Sequence, residues 1–192
     1  MNLWEKTYLE GFKISSKKPS EIIKEIPLTN KKSNILDIGC GEGRNSIYFA
    51  KKNHYVQCID VVDSLPNMFK KNKNICYKKI SAKKYNYTKN YYDIVLMLRL
   101  IQYIPLTDLK NIFKKIYVSL KKNGFLAISY TCSGGIFLQN YSTKKYSHKL
   151  YKILKILDKI EFKISFIRKG SNKSKHVPYT TNIESYDIVL NK

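Results

Sequence analysis

The pattern of hydrophobic and polar positions divides the chain into short apolar runs and longer amphipathic stretches that alternate along its length. Unbroken apolar runs indicate strands buried on both faces, whereas apolar residues at helical spacing indicate helices packed on one side. Strands that alternate with helices are typical of a mostly parallel sheet. We therefore predict strands at 35–38, 54–60, 75–80, 91–98 and 125–130, helices at 19–26, 43–50, 107–120 and 144–159, and a connecting segment at 63–71.

Two further apolar runs close the chain and raise the number of predicted strands to seven. They are EFKISFIR, which starts at Glu161, and SYDIVLN, which starts at Ser185. Two positions between elements have the chemistry of helix caps. Thr107 is a candidate N-cap, and Gly124 is a candidate C-cap before the fifth strand.

No repeat or low-complexity linker divides the 192 residues, so we expect one domain with an N-terminal helical lid at 1–30 and a core at 31–192. A chain of this length buries most of its apolar surface without disulfides or metals. Trp4, Tyr8 and Phe12 have near-helical spacing, which suits either a lid over a pocket or a seal at the edge of the core.

Three glycines lie between the first strand and the helix that follows it, in the segment ILDIGCGEGRNSIYFA. Gly39, Gly41 and Gly43 permit positive φ angles and a close approach of a ligand to the backbone. The helix directs free N–H groups and its positive dipole end at this turn, which suits a carboxylate or a phosphate. The spacing departs from the G-x-G-x-x-G of dinucleotide sites, because Arg44 follows the third glycine. A crossover whose glycines serve only the turn is the alternative.

Acidic residues mark the carboxyl ends of the first two strands. Asp37 lies in the first strand, and Asp60 ends the run HYVQCID. An acid at the tip of the second strand can accept hydrogen bonds from both hydroxyls of a ribose. Asp60 is therefore the strongest single candidate for contact with a ligand.

From Ile35 to Leu190 the chain resembles the class I S-adenosylmethionine-dependent methyltransferases, whose first motif has this G-x-G-x-G spacing. The resemblance implies a three-layer α/β fold, in which a Rossmann-like, seven-stranded, mostly parallel sheet has helices on both faces and a C-terminal antiparallel β-hairpin. The stretch GCGEGRNSIYFAKKNHYVQCID is similar to the tellurite-resistance and thiopurine branch of small-molecule methyltransferases, as is WEKTY followed by a Pro-Ser pair. The implied cofactor is S-adenosylmethionine, with S-adenosylhomocysteine as product.

The resemblance also implies which residues hold the cofactor. Asp37 would stand near its amino group and Asp60 would hold its ribose, with Val61 against the adenine. The other contacts come from the glycine turn and from residues after the third and fourth strands. The implied set is Asp37, Gly39, Cys40, Gly41, Arg44, Asp60, Val61, Ser81, Ala82 and Leu98.

One position departs from the family's pattern. The third strand of the family ends with an acid that receives the adenine amino group, and Ser81 stands at that position here. A serine hydroxyl or the N–H of Ala82 can still meet an adenine edge. Losing a charge-assisted hydrogen bond costs on the order of 1.5–3 kcal/mol, so we expect affinity about ten- to a hundred-fold weaker. Complete loss of cofactor binding is the alternative.

The residues after the fourth strand, in the run LRLIQYIP, are the candidates for an acceptor pocket. Arg99 either attracts an anionic acceptor or pairs with an internal acid. Gln102 and Tyr103 either line the pocket wall or take part in catalysis, and the loop at 131–141 would cover the pocket. We assign no catalytic residue, because the sulfonium donor is already activated and a base is needed only when the acceptor carries a proton.

The chain has a formal net charge of +22, which favours polyanionic partners such as RNA. Only Arg44, Arg99 and Arg168 are arginines among the 36 basic residues, although arginine is the residue that binds phosphates bidentately. The lysines are scattered singly and in pairs, and Lys, Asn, Ile and Tyr are abundant together, as AT-rich codon usage would produce. A functional basic face and codon bias both remain open.

The four cysteines, Cys40, Cys58, Cys76 and Cys132, form no C-x-x-C pair and lie near no histidine cluster. We therefore expect buried reduced thiols, no disulfide and no metal site. No apolar run reaches about 18 residues, and the first residues lack the apolar core of a secretory signal. These features predict a cytoplasmic monomer or homodimer without a membrane span.

A small-molecule methyl acceptor is the leading hypothesis. Amino-methylating nucleic-acid enzymes of this fold carry an acid or asparagine before Pro-Pro-aromatic after the fourth strand, whereas this chain has LRLI there. The first alternative is an RNA- or ribosome-associated methyltransferase with a lysine-rich face. The second is a nucleic-acid-binding protein that keeps the fold without catalysis.

Overall fold

The computed structural model describes residues 18–28, 31–62, 72–132, 146, 148–172 and 183–192. Seven strands form its centre, close to the positions that the apolar runs predict, although the fifth begins at Leu120 and so earlier than predicted. Their bounds are β1 Asn34–Ile38, β2 Tyr55–Asp60, β3 Ile75–Lys79, β4 Tyr92–Leu98, β5 Leu120–Thr131, β6 Lys163–Asn172 and β7 Ile183–Asn191.

All seven strands belong to one sheet, in the order β3-β2-β1-β4-β5-β7-β6. The first five strands pair in parallel, and β7 pairs antiparallel with both β5 and β6. The C-terminal antiparallel hairpin is therefore confirmed. The strand order reverses between β1 and β4, and ligands of open α/β sheets bind at such a reversal, beyond the carboxyl ends of the strands.

Helices cover both faces of the sheet, so the predicted three-layer architecture is confirmed. One face carries α2 (Leu106–Ser119) and α3 (Leu150–Asp158), whose apolar residues join the larger core cluster. The other face carries a 3₁₀ helix at Glu21–Glu25 and α1 (Arg44–Lys51), which pack on a second cluster. A further short 3₁₀ helix, Ile101–Tyr103, follows β4.

The start of α3 corrects the prediction of a helix from residue 144. The helix begins at Leu150, and Lys149 before it is extended, with ψ 138°. Tertiary contacts hold the preceding residues elsewhere: the Tyr146 N–H donates to the Gln102 carbonyl at 2.8 Å, and the His148 ring lies 2.8 Å from the Ile104 carbonyl. These contacts tie the segment to the end of β4, which a helical pattern does not reveal.

The two predicted helix caps are also wrong. Helix α2 begins at Leu106, after Pro105 at the N-cap, so Thr107 lies inside the first turn. The helix ends at Ser119, and Gly124 lies within β5. A Cβ at Gly124 would lie 3.0 Å from the Lys121 carbonyl oxygen, so close packing, and not a helix end, requires glycine there.

Three of the four cysteines are buried, whereas Cys76 on the edge strand β3 is exposed, contrary to the prediction. Over the part of the chain that the structure describes, no helix is long and apolar enough to cross a membrane. The N-terminal aromatic residues, the segment at 63–71 and most of the loop at 131–141 lie outside the described residues.

Candidate functional site

A cavity of about 490 Å³ opens at the carboxyl ends of β1, β2 and β4, where the strand order reverses. This volume falls within the range of about 300–1,000 Å³ that is usual for small-molecule sites. The cavity brings together all ten residues of the implied cofactor set, together with Arg99 and Tyr103. Gln102 is buried at 5% exposure and is not one of the lining residues.

The glycine turn after β1 forms one wall of the cavity. Gly39, Gly41 and Gly43 have φ angles of 71°, 51° and 72°, in the left-handed region that disfavours side chains. The Gly39 N–H donates to the Ile59 carbonyl at 2.8 Å, which fixes the turn against the end of β2. A Cβ at Gly39 would lie 3.0 Å from the Leu100 side chain, so the turn approaches the segment after β4 closely.

The Asp60 carboxylate joins the glycine turn to the end of β2. One oxygen accepts the Gly41 N–H at 2.9 Å, and the other accepts the N–H groups of Val61 at 2.7 Å and Val62 at 3.3 Å. Burial nevertheless raises the pKa of Asp60, against the lowering by these three donors. A carboxylate offers about four acceptor positions, so the three backbone donors leave about one for a ligand hydroxyl.

Asp37 lies beneath the turn and is 2% exposed. The Ser46 hydroxyl, on the first turns of α1, donates to its carboxylate at 2.5 Å, and the Cys58 thiol lies 3.1 Å from the same hydroxyl. Burial raises the pKa of Asp37 to about 6, and the charge of Asp60 adds to the rise, whereas Ser46 and Arg44 oppose it. Two neighbouring carboxylates therefore give this wall an acidic character.

The start of α1 contacts Ser20, which lies just before the first 3₁₀ helix. The Arg44 guanidinium donates to the Ser20 hydroxyl at 2.9 Å, and the Asn45 side-chain oxygen accepts the Ser20 N–H at 2.9 Å. Burial lowers the pKa of Arg44, which also lines the cavity. The Arg-Asn pair after the glycines therefore links the turn to the Pro19-Ser20 pair upstream.

The wall after β3 contains Ser81 and Ala82. The Ser81 carbonyl accepts the N–H groups of Lys84 and Tyr85 at 3.0 Å, and its hydroxyl lies 3.4 Å from the Lys84 N–H. At the rim, the Lys83 ammonium forms an ion pair with Asp108 of α2 at 3.0 Å. This wall offers a hydroxyl and backbone groups to a ligand where the family's pattern has an acid.

The segment after β4 forms the opposite wall. Arg99 has a φ of 60°, its N–H donates to the Ser129 carbonyl at 2.6 Å, and its carbonyl accepts the Gln102 amide at 2.9 Å. Burial lowers the pKa of Arg99, although its side chain remains accessible from the cavity. Burial likewise raises the pKa of Tyr103, so its phenol stays protonated at neutral pH.

The titratable groups of the cavity suit binding and placement more than proton abstraction. Cys40 has a pKa well above its usual range, because its contact with Cys58 and its burial both disfavour the thiolate. Tyr103 is neutral at physiological pH, and Asp37 is enclosed beneath the turn. Among the described residues, no three His, Cys, Asp or Glu side chains cluster as metal ligands would.

Sequence reasoning missed Ser46, Ser20 and the Lys83–Asp108 pair at the rim. Ser46 carries a local signal, because it is a polar residue on the buried face of α1, one turn after the glycines. The Ser20 and Lys83 contacts join residues 24 and 25 positions apart, which no local pattern predicts.

Comparison with known proteins agrees with this geometry. Residues 35–124, slightly less than half of the chain, match the family described as methyltransferase domain. A search of curated protein sequences finds no match to the chain. The glycine turn, Asp60 and the segment after β4 all lie within the matched residues.

Solved structures share the fold at low sequence identity. An S-adenosylmethionine-dependent methyltransferase from Methanosarcina mazei is 17% identical, with a TM-score of 0.71 over 91% of this chain and 98% of that one. The 1,6-didemethyltoxoflavin-N1-methyltransferase of Burkholderia thailandensis, with 1,6-didemethyltoxoflavin and S-adenosylhomocysteine bound, is 15% identical, with a TM-score of 0.69 over 84% of this chain and 72% of that one.

A phosphoethanolamine N-methyltransferase of Haemonchus contortus, in complex with phosphomonomethylethanolamine and S-adenosylhomocysteine, is 18% identical, with a TM-score of 0.73 over 89% of this chain and 51% of that one. The fold is therefore that of the class I methyltransferases, as predicted. Residues 35–124 of that fold are similar to a methyltransferase domain.

Proposed function

We propose that the chain is an S-adenosylmethionine-dependent methyltransferase that acts on a small-molecule acceptor. The observation that carries the proposal is the hydrogen bond from the Gly41 N–H of the glycine turn to the Asp60 carboxylate. Both residues line a cavity at the point where the strand order reverses. The match of residues 35–124 to a methyltransferase domain supports it. So does the fold shared with enzymes whose structures contain S-adenosylhomocysteine.

The residues of the cavity fit this cofactor. Asp60 offers acceptor oxygens for ribose hydroxyls, and the neighbouring Val61 side chain, 42% exposed, offers an apolar surface for the adenine. Gly39 and Gly41 line the cavity where the methionine part would lie, and the Asp37 carboxylate attracts an ammonium group. Bound there, the cofactor supplies a methyl group on a positively charged sulfur.

The protein residues then act by placement and exclusion of water. Leu98, Leu100 and Ile104 give the wall after β4 an apolar surface, which keeps water from the reacting atoms. The Tyr103 phenol, held neutral by burial, can donate a hydrogen bond that orients an acceptor. An acceptor atom with a free lone pair needs no base.

Three observations favour a small acceptor of the tellurite and thiopurine branch. The named enzymes from Burkholderia and Haemonchus act on small molecules, and the size of the cavity suits a cofactor with a compact partner. The contacts of Arg44 and Asn45 with Ser20 connect the two stretches of sequence that resemble this branch. We further propose that all 192 residues act as one domain, in which the segment before residue 31 covers the cavity.

The test is a methyl-transfer assay with the full chain. We would incubate it with S-adenosylmethionine and separate panels of thiols, selenols, amines and phenols, and measure methylated product and S-adenosylhomocysteine by mass spectrometry. We expect product with at least one thiol or selenol, and none with the Asp60→Ala variant. Cofactor binding without turnover on any small molecule would contradict a small-molecule acceptor.

A second candidate function, methylation of RNA, is favoured by the charge of one face. The outer surfaces of α2 and α3 expose five lysines and carry two acids; the lysines are Lys110, Lys114, Lys115, Lys152 and Lys155. The Lys115 ammonium donates to the Lys83 carbonyl at 3.2 Å, so this lysine face reaches the rim of the cavity. The opposite layer mixes both signs, with Glu21, Lys24 and Glu25 in its 3₁₀ helix.

RNA binding at different salt concentrations tests this candidate. Each neutralised phosphate adds about 0.7–0.9 to the slope of log affinity against log salt. We expect the substitution of Lys110, Lys114 and Lys115 by Gln to lower that slope, and the substitution of Lys24, Lys51 and Lys52 to leave it unchanged. Equal effects of the two triple variants would indicate that RNA responds to the overall charge of the protein and binds no particular face. Binding of RNA with no response to S-adenosylmethionine would instead favour a nucleic-acid-binding protein without catalysis.

A further inference from the structure

Arg99 occupies a position that the fold holds rigidly. Its backbone lies in the left-handed region, with φ 60°, which costs free energy for a residue with a side chain and is typical of functional sites. Hydrogen bonds hold the backbone on both sides, from its N–H to the Ser129 carbonyl and from the Gln102 amide to its own carbonyl. Gln102 is in turn buried and bound through its carbonyl to the Tyr146 N–H.

The guanidinium of Arg99 has no ion-pair partner within the described part of the chain. Asp187 is the one acid whose charge acts on it, and Arg168 holds that carboxylate at 2.8 Å. Arg44 faces it with a like charge from the opposite wall, and Tyr103 is neutral. The Arg99 side chain is accessible from the cavity, so its donors are open to an anion brought in by a ligand.

The location of Arg99 places such an anion beside the cofactor side of the cavity. The neighbouring Leu100 side chain lies against Gly39, since a Cβ there would be 3.0 Å from it. Tyr103 follows one 3₁₀ turn later and lines the same cavity. A molecule bound to Arg99 would therefore lie next to the glycine turn without displacing what the turn holds.

We propose that the guanidinium of Arg99 forms an anion subsite, which binds the carboxylate or the phosphate of the methyl acceptor. Both groups present two oxygen atoms to the two parallel N–H donors of an arginine, a geometry that a lysine does not reproduce. The role in methyl transfer rests on the proposed function. The anion subsite itself rests only on the described residues of the wall after β4.

Calorimetry with small aromatic probes tests the subsite. We would saturate the full chain with S-adenosylhomocysteine and titrate benzoate, phenyl phosphate and the neutral benzamide separately. We expect at least one anion to bind about 10- to 100-fold tighter than benzamide, the range expected for charge-assisted hydrogen bonds. Tighter binding of benzoate would identify a carboxylate acceptor, and tighter binding of phenyl phosphate a phosphorylated one.

Two variants of Arg99 and one control show whether Arg99 causes the preference for anions. Arg99→Met should abolish the preference for anions, and Arg99→Lys should retain only part of it. Lys52→Met, which removes one exposed charge at the end of α1, should leave it unchanged. Undiminished anion binding by Arg99→Met, or equal binding of all three probes by the unaltered chain, would overturn the subsite.

Binding of S-adenosylhomocysteine separates this proposal from the proposed function. Each variant is first titrated with it, which also checks that the cavity is folded. If the unaltered chain does not bind it, the cofactor proposal fails, and the same three probes are titrated into the cofactor-free protein. A preference for anions that depends on Arg99 would then still establish the subsite, and its absence would overturn it.

Discussion

The two walls of the cavity differ in charge and in how their charges are satisfied. The wall formed by β1, β2 and the glycine turn holds the carboxylates of Asp37 and Asp60, and hydroxyl or backbone N–H groups donate to both. The wall after β4 holds Arg99, whose guanidinium has no ion-pair partner among the described residues. One wall is internally hydrogen-bonded, whereas the other has a charge available to a ligand.

This difference suggests that the two walls bind different ligands. A wall that is already hydrogen-bonded is preorganised, so it loses little conformational freedom when it binds a ligand that it always meets. A cofactor is such a ligand. We propose that the wall after β4, which contains Arg99, selects the methyl acceptor.

Loss of Asp60 is expected to have the largest effect on cofactor affinity. We expect Asp60→Ala to weaken binding of S-adenosylhomocysteine about 100-fold, because a charge-assisted hydrogen bond to the ribose is lost together with the contact that holds the Gly41 N–H. The affinity of Asp60→Asn, which keeps one acceptor oxygen, should lie between those of Asp60→Ala and the unaltered chain. Calorimetry measures both variants, with Asp158→Ala on the exposed surface of α3 as control. Equal affinity of Asp60→Ala and the unaltered chain would show that the cofactor is held elsewhere.

The buried acid of the same wall predicts a dependence of stability on pH. The pKa of Asp37 is raised to about 6 from 3.8. Between these values the folded state binds the proton more tightly than the unfolded state, so the contribution of Asp37 to the free energy of unfolding falls as pH rises. The loss is on the order of 2–3 kcal/mol by pH 7.

Asp37→Asn removes this titration and keeps an acceptor for the Ser46 hydroxyl. We expect the stability of the variant relative to the unaltered chain to increase by the same amount between pH 4 and pH 7. Urea unfolding at several pH values measures the difference. Parallel stability curves for the two proteins would contradict a raised pKa at Asp37.

The sequence predicted the acidic wall better than the basic one, for a physical reason. The strand Ile35–Ile38, the glycines and Asp60 lie within one continuous βαβ unit, in which local pattern and tertiary position coincide. The segment before α3, by contrast, contacts Gln102 and Ile104 of the wall after β4, which lie more than 40 positions away in sequence. Nor does a sequence reveal that Arg168 holds Asp187, which leaves Arg99 without that partner.

A substitution at Ser81 that strengthens cofactor binding would show that the adenine lies against the wall after β3. Ser81 lines the cavity where the family's pattern has an acid. We expect Ser81→Asp to tighten binding of S-adenosylmethionine about tenfold, because a carboxylate accepts the adenine amino group more strongly than a hydroxyl does. Ser81→Asn serves as the uncharged control. Unchanged affinity in Ser81→Asp would place the adenine away from this wall.

The smallest effect is expected at the rim. Lys83→Met breaks the ion pair with Asp108, in which the lysine side chain is 69% exposed. Exposed pairs of this kind contribute about 1 kcal/mol or less, so thermal unfolding should change little and cofactor affinity less than about threefold. A large loss of affinity would mean that the rim, and not the buried carboxylates, holds the cofactor.

Titration of S-adenosylhomocysteine into the full, unaltered chain by calorimetry tests the central claim most directly. We expect one site per chain with a dissociation constant in the micromolar range. No heat of binding at millimolar ligand would contradict a cofactor site at the glycine turn and Asp60.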